Sequence, residues 1–180
     1  MKKKTFYLTS DFDQLELHVM VMEPEGEPRG ILQICHGMAE HKERYIPFME
    51  EVCKWGYVAV IHDHRGHGKS IKGKGELGYF YDETGEAIVE DAHQISLWAK
   101  EQYRGIPFHL FGHSMGSLVV RCYLKKYDEE LDSLIVCGSP SENKMAAAAV
   151  KLAKAACKVR GDKPGRLFQR LAFAAYGKQL

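Results

Sequence analysis

Short apolar segments alternate with amphipathic helical segments over residues 30–138, and this alternation restricts the possible folds more than any other feature of the chain. Four apolar runs have the length and composition of buried strands: Gly30–Cys35, Tyr57–Ile61, Phe108–Phe111 and Leu134–Cys137. Apolar side chains at helical spacing predict the helices between them, over about 41–55, 86–103 and 115–126. Strands joined by helices are typical of a parallel sheet covered on both faces. We therefore predict an α/β fold.

Two segments with alternating polar and apolar residues precede this region. Residues 5–9 and 15–22 read as neighbouring strands joined by a turn at 11–14. Added to the four buried runs, they give a mostly parallel sheet of about six strands with helices on both faces. The strand and helix alternation stops after residue 138, so the sheet is expected to be truncated there and followed by the start of a helical cap.

Composition points to a soluble, reduced, globular protein. The chain has 180 residues, of which 45% are hydrophobic and 27% charged, which excludes disordered, collagen-like and coiled-coil classes. No apolar run approaches the roughly 20 residues that a membrane span needs. Acidic residues follow Met1–Lys4 where a signal peptide would be apolar, and the five cysteines contain no CxxC pair. We expect a cytoplasmic location.

Charge divides the chain at about residue 140. Residues 141–180 contain nine Lys or Arg and two acidic residues, whereas the first 140 residues carry an acidic excess. We predict a core at 1–140 and basic amphipathic cap helices at 141–180. The lysine stripe reads as a solvated helix face or as weak lipid-surface contact through 144–176. No basic strand interleaved with aromatic residues accompanies it, so nucleic acid is not an expected partner.

The strongest chemical signal is the sequence Gly-His-Ser-Met-Gly at residues 112–116. It fits G-x-S-x-G between a buried strand and a helix, the context in which this motif forms a sharp turn around a nucleophilic serine. Small residues must flank the serine, here Gly112 and Gly116. We predict Ser114 as the catalytic nucleophile and the Met115 N–H as an oxyanion donor. The alternative is an ordinary glycine-rich turn with a capping serine.

The loop after the strand Gly30–Cys35 supplies a second candidate. Acyl transfer needs another oxyanion donor from a loop beside the nucleophile, and a glycine lets the backbone approach closely. His36 and Gly37 begin this loop, and the Met38 N–H is the predicted donor.

The segment Asp63–Ser70 follows the next strand. His62, His64 and His67 have an H-x-H-x-x-H spacing that a hydrolytic metal centre could use, with Asp63 as a further ligand. A glycine stands where such sites usually supply a carboxylate, so we favour a structural loop in which Asp63 and Arg65 shape the floor of the site. No metal and no organic cofactor are expected.

These segments together resemble the α/β-hydrolase family, specifically its monoacylglycerol lipase and lysophospholipase branch, which is also grouped with the serine aminopeptidases of type S33. The resemblance covers residues 5–140 and rests on four matching segments: 36–41 with Arg44-Tyr45, 63–70, 112–117 and 139–140. It implies hydrolysis of a small-molecule carboxylic ester of glycerol or another small alcohol. Ser114 would be the nucleophile, with the Met38 and Met115 N–H groups forming the oxyanion hole.

The chain departs from this family in one respect. The fold orders its triad as serine, acid, histidine, but all nine histidines here precede Ser114, and no Asp or Glu after Ser114 occupies the expected place behind a seventh strand. His113 adjoins Ser114 in sequence, yet we expect its side chain to point away from the serine. Three explanations stay open. The chain is the N-terminal part of a longer hydrolase, or a second chain completes it at the exposed edge of the sixth strand, or it is an inactive relative.

Two further functions remain as alternatives to the ester hydrolase. One is an amidase similar to proline iminopeptidases, built on the same scaffold. The other is a catalytically silent module that binds acyl ligands without cleaving them.

Overall fold

The computed structural model describes residues 1–141 together with Lys151 and Ala155, both of which are helical. The chain divides into two units, Met1–Pro140 and Ser141–Leu180. The first unit contains the sheet and every predicted site residue. The predicted cap helices and the lipid contact at 144–176 therefore lie outside the described residues, apart from those two positions.

The first unit is built around one six-stranded sheet. Its strands are β1 (Lys2–Thr9), β2 (Glu16–Glu23), β3 (Gly30–Cys35), β4 (Tyr57–His62), β5 (Phe108–His113) and β6 (Ser133–Cys137). They lie in the order β1-β2-β4-β3-β5-β6. The two pairings that involve β2 are antiparallel, and the three pairings among β3, β4, β5 and β6 are parallel. The predicted α/β fold with a mostly parallel sheet is confirmed.

Three α-helices connect the parallel strands: α1 (Ile46–Lys54), α2 (Ala87–Gln102) and α3 (Met115–Tyr127). The sequence predicted one continuous helix over about 41–55, which was wrong in its first turn. Residues Lys42–Tyr45 form a 3-10 turn, and α1 starts only at Ile46. Pro47, the second residue of α1, has no N–H to donate back into the preceding turn, which explains why the α-helix begins there.

The helices cover both faces of the sheet, and the strand residues alternate between them. Val58 and Val60 of β4 pack into the cluster that contains buried residues of α2 and α3. Ala59 and Ile61 of the same strand pack into the second cluster, together with buried residues of α1. Each β4 residue from 58 to 61 is fully buried, so this strand lies in the core between two apolar layers.

The carboxyl ends of β3, β4 and β5 lie at one edge of the sheet because these strands are parallel. Each opens there into one of the loops singled out in the sequence. On the outer side of β5, β6 pairs with no second strand among the described residues. Ile135 and Val136 are 45% and 42% exposed there.

No helix of the described residues is long and apolar enough to cross a membrane.

Candidate active site

Ser114 stands at a sharp turn between β5 and α3. Its backbone has φ +52° and ψ −115°, in the left-handed half of conformational space, where a residue with a side chain is strained. Its N–H donates to the carbonyl oxygen of Cys137 at 3.0 Å, and its own carbonyl accepts the N–H of Ser117 at 3.0 Å. The surrounding strand and helix thus hold Ser114 in this conformation.

Two glycines make the turn possible, as the sequence predicted from their spacing. A Cβ at Gly112 would lie 2.5 Å from the Gly116 carbonyl oxygen and 2.6 Å from a methyl carbon of Val120. A Cβ at Gly116 would overlap the Cys35 carbonyl oxygen at the end of β3. Gly112 lies on β5 and Gly116 lies on α3. The sharp turn from β5 into α3 is therefore possible only when neither position carries a side chain.

The loop after β3 packs directly against the serine. A Cβ at Gly37 would lie 3.2 Å from the Cβ of Ser114. Met38 follows with a half-exposed side chain, and Ala39 has φ +58°. The structure therefore brings Gly37 and Ser114 together, while the donor roles of the Met38 and Met115 N–H groups stay predictions.

The imidazole of His36 is buried beneath this loop. Its Nδ1 lies 2.7 Å from the carbonyl oxygen of Gly37, and its Nε2 lies 2.9 Å from the backbone nitrogen of His64. A backbone N–H can only donate, so Nε2 accepts and Nδ1 carries the hydrogen. Burial lowers the pKa of His36 to about 4, in agreement with a neutral ring. His36 thus ties the loop after β3 to the loop after β4.

Glu40 and Tyr45 form a polar network. Both residues belong to the segments that carry the family resemblance, but no role was predicted for either. Glu40 Oε2 accepts hydrogen bonds from the Gly37 N–H and the Tyr45 hydroxyl, each at 2.8 Å. The Tyr45 oxygen lies 3.1 Å from His113 Nδ1. Among the hydrogen bonds of residues 1–141, His113 bonds Tyr45 and not the Ser114 hydroxyl. Periodicity could not have indicated this network, because its members lie on three different segments.

A cavity of about 300 Å³ opens beside this network. One wall of the cavity is polar and consists of Glu40, Arg44, Tyr45 and His113. The other wall is apolar and consists of the rings of Phe48 and Phe111, whose centroids are 5.3 Å apart.

Asp63 is fully buried and joins two loops at the carboxyl edge of the sheet. Its carboxylate accepts the backbone N–H of Lys42 at 2.8 Å and that of Lys69 at 2.9 Å. The Lys42 ammonium, also fully buried, lies 2.6 Å from Asp63 Oδ2. Lys42 was missed from the sequence, since a lysine in a predicted helix is most often solvated. The structure places Asp63 where it anchors the loop after β3.

Arg65 is fully buried and forms its contacts elsewhere. Its guanidinium pairs with both carboxylate oxygens of Asp91 on α2, at 2.7 and 3.0 Å, and with Asp13 of the β1–β2 turn at 3.2 Å. It also donates to the Phe80 carbonyl at 3.0 Å. Arg65 therefore fixes the loop after β4 to α2 and to the first hairpin, and it shapes the site only through that loop.

His62 is the last residue of β4, and His64 and His67 lie in the loop after it. His62 and His64 are fully buried with ring centroids 4.8 Å apart, and His67 Nδ1 lies 3.1 Å from the Arg65 carbonyl oxygen. Across the part of the chain that the structure describes, no three His, Cys, Asp or Glu side chains are arranged to hold a metal ion.

Comparison with known proteins places this site in a family. The family model described as serine aminopeptidase, S33, matches residues 26–175. A monoglyceride lipase homolog of Monkeypox virus is 33% identical over 114 residues, which cover 63% of this chain and 38% of the relative. A monoacylglycerol lipase of Mycolicibacterium smegmatis is 31% identical over 118 residues, covering 66% of this chain and 40% of the relative. The chain thus spans about two fifths of the length of these curated relatives.

Solved structures agree on the fold. A thermostable carboxyl esterase from Bacillus coagulans, in complex with glycerol, superposes with a TM-score of 0.84 at 29% identity over 94% of this chain and 55% of that one. A monoglyceride lipase from Saccharomyces cerevisiae superposes with a TM-score of 0.70 at 19% identity, over 89% of this chain and 54% of that one.

The predicted resemblance is confirmed, since the family model covers the core strands, the serine turn and the loops beside it. The chain is similar to lipases and esterases and belongs to the serine aminopeptidase S33 family of α/β-hydrolases.

Proposed function

We propose that this chain carries the nucleophile and the oxyanion hole of a serine hydrolase that cleaves carboxylic esters of the monoacylglycerol or lysophospholipid type. The observation that carries the proposal is the strained turn at Ser114, with the Gly37 loop packed against it. A serine held at φ +52° between a strand and a helix exposes its hydroxyl at the edge where parallel sheets bind ligands.

The proposed chemistry is a two-step acyl transfer. The Ser114 oxygen attacks the ester carbonyl and loses its proton to a general base, while the Met38 and Met115 N–H groups bind the oxyanion. The carbon–oxygen bond to the alcohol breaks, and the alcohol leaves with that proton. Water then attacks the acyl-enzyme and releases the carboxylic acid.

The general base is proposed to come from residues outside this chain. All nine histidines lie within residues 1–141, and none of their ring nitrogens bonds the Ser114 hydroxyl there. The edge of β6, where Ile135 and Val136 are exposed, is the proposed pairing position for the segment that carries the acid and the base. That segment belongs to a longer form of this chain or to a second chain.

The substrate class is supported by similarity. Both curated relatives are described as monoglyceride or monoacylglycerol lipases, and the carboxyl esterase was solved with glycerol bound. The family description also names aminopeptidases, which keeps an amide substrate as the second candidate.

Acylation of the chain itself tests this proposal. We would mix it with p-nitrophenyl esters of increasing acyl length at pH 9 and measure the p-nitrophenolate released. Without a base for deacylation, we expect a burst of about one equivalent per chain that Ser114→Ala abolishes. Faster release of p-nitroaniline from prolyl p-nitroanilide than of p-nitrophenolate from any ester would favour the amidase. Ligand binding with no burst would favour the silent module.

A further inference from the structure

We propose that Glu40 is a positioning residue for the oxyanion hole: its carboxylate holds the Gly37 N–H and thereby sets the direction of the Met38 N–H. This inference rests on the function proposed above, because the loop matters to chemistry only if Met38 is a donor.

The first argument is the geometry of the turn. Glu40 Oε2 accepts the Gly37 N–H at 2.8 Å, so the side chain closes a short loop that contains Met38 and Ala39. Ala39 has φ +58°, a backbone conformation that residues with a side chain rarely adopt. The turn therefore needs an external constraint, and Glu40 supplies a charge-assisted hydrogen bond across it. Met38 is held between the bonded Gly37 and the strained Ala39.

The second argument is that the same oxygen reaches the other half of the oxyanion hole. Glu40 Oε2 also accepts the Tyr45 hydroxyl at 2.8 Å. The hydrogen of that hydroxyl is used on Glu40, so the Tyr45 oxygen accepts from His113 Nδ1 at 3.1 Å. His113 immediately precedes Ser114. One carboxylate therefore connects the loop that carries Met38 to the turn that carries Met115.

The third argument concerns charge. Burial opposes the ionisation of Glu40, but the hydrogen bonds from Tyr45 and Gly37, with the charges of His113 and Arg44, outweigh it and lower its pKa. Arg44 lies 3.7 Å from Oε1. A carboxylate beside an oxyanion hole would repel the developing negative charge, so its charge cannot itself stabilise the transition state. Its contribution is the placement of the donors.

Amide hydrogen exchange and ¹⁵N NMR of the whole chain test this inference without requiring turnover. We would compare wild type with Glu40→Ala, which removes the acceptor, and Glu40→Gln, which keeps an acceptor oxygen but no charge. Glu51→Ala is the matched control, because it removes an exposed α1 carboxylate paired with Lys54. We expect Glu40→Ala to speed exchange of the bonded Gly37 amide about tenfold or more and to shift the ¹⁵N–H resonance of Met38. Glu40→Gln should bring the Gly37 exchange rate back to within about threefold and leave the Met38 resonance near its wild-type position.

A pH titration separates positioning from general stability. In wild type, we expect the chemical shift of the Gly37 amide to change as Glu40 is protonated, with a midpoint below pH 4.5. This transition should be absent in Glu40→Gln. A Met38 ¹⁵N–H resonance that Glu40→Ala leaves unchanged would overturn the inference. So would a Glu40→Gln variant that behaves like Glu40→Ala, because charge rather than placement would then be responsible.

Labelling of Ser114 by a fluorophosphonate at pH 9 distinguishes this inference from the proposed function. If wild type is labelled, we expect Glu40→Ala to be labelled about tenfold or more slowly, and Glu40→Gln and Glu51→Ala at nearly the wild-type rate. Equal rates in Glu40→Ala and wild type would overturn positioning while the proposed nucleophile stands. If wild type is not labelled, the proposed function fails, and the amide measurements still decide whether Glu40 orients Met38.

Discussion

Gly116 and Cys35 are in backbone contact across the site: a Cβ on Gly116 would overlap the Cys35 carbonyl oxygen and lie 2.7 Å from the His36 carbonyl oxygen. The first turn of α3 is therefore pressed against the end of β3. This contact joins the serine turn to the loop after β3. The two segments can lie this close only because residue 116 is a glycine and has no β-carbon.

Gly116→Ala is expected to destabilise the fold by about 1–3 kcal/mol or more, because the overlapping atoms belong to backbone that cannot move aside. Urea denaturation followed by circular dichroism measures this. Gly75→Ala is the matched control, since nothing lies within 4 Å of a Cβ built there. Equal unfolding midpoints for the two variants would contradict the close packing of α3 on β3.

Asp63→Asn is expected to lower the free energy of unfolding by up to about 3–5 kcal/mol, because the fully buried Lys42 ammonium loses its buried charged partner and keeps only the partly exposed Glu43 carboxylate at 2.9 Å. The paired replacement Lys42→Met with Asp63→Leu should recover only part of the loss. The backbone N–H groups of Lys42 and Lys69 would still lack their acceptor. Glu51→Gln, at an exposed pair, should leave the unfolding midpoint unchanged. Full recovery in the paired replacement would show that the carboxylate does not organise the loops.

Acid is expected to destabilise the fold well above the pH at which carboxylates titrate. Burial lowers the pKa of His36 to about 4 and that of His62 to about 3, from 6.5. Between about pH 6.5 and 4 these histidines bind protons in the unfolded chain but stay neutral in the folded chain. The free energy of unfolding therefore falls as pH falls. Each histidine contributes a slope of up to about 1.4 kcal/mol per pH unit.

Urea midpoints at pH 7.5, 6 and 5 check this dependence. His62→Leu should make the profile flatter, because it removes one buried imidazole for which the described residues provide no hydrogen-bond partner. An unchanged slope in this variant would contradict the assignment of His62.

The positions of the strands along the chain and the serine turn could be predicted because each depends on a local pattern. Apolar runs marked β3 and β4 almost residue by residue, and Gly112 and Gly116 marked the turn by their spacing alone. The 3-10 turn before Ile46 was missed because its last residue, Tyr45, begins the apolar stripe of α1, and only Pro47 marks the start of the α-helix.

The supporting network around the site could not be predicted in the same way. Lys42 with Asp63, and Glu40 with Tyr45, pair across loops whose relative position depends on the whole sheet. Burial of a lysine or a carboxylate is visible only once its partner is placed. The sequence therefore indicated which loops form the site, but not what holds them in place.

Intact-mass spectrometry of the chain after treatment with a fluorophosphonate, at a series of pH values, tests the central claim most directly. The account predicts a single adduct on Ser114 that Ser114→Ala abolishes. None of the nine histidine rings bonds the Ser114 hydroxyl among residues 1–141, so we expect hydroxide to remove its proton and the rate to rise about tenfold per pH unit from pH 7 to 9. Added imidazole should accelerate it. An adduct that persists in Ser114→Ala, or no adduct at any pH, would contradict the claim that Ser114 is the nucleophile.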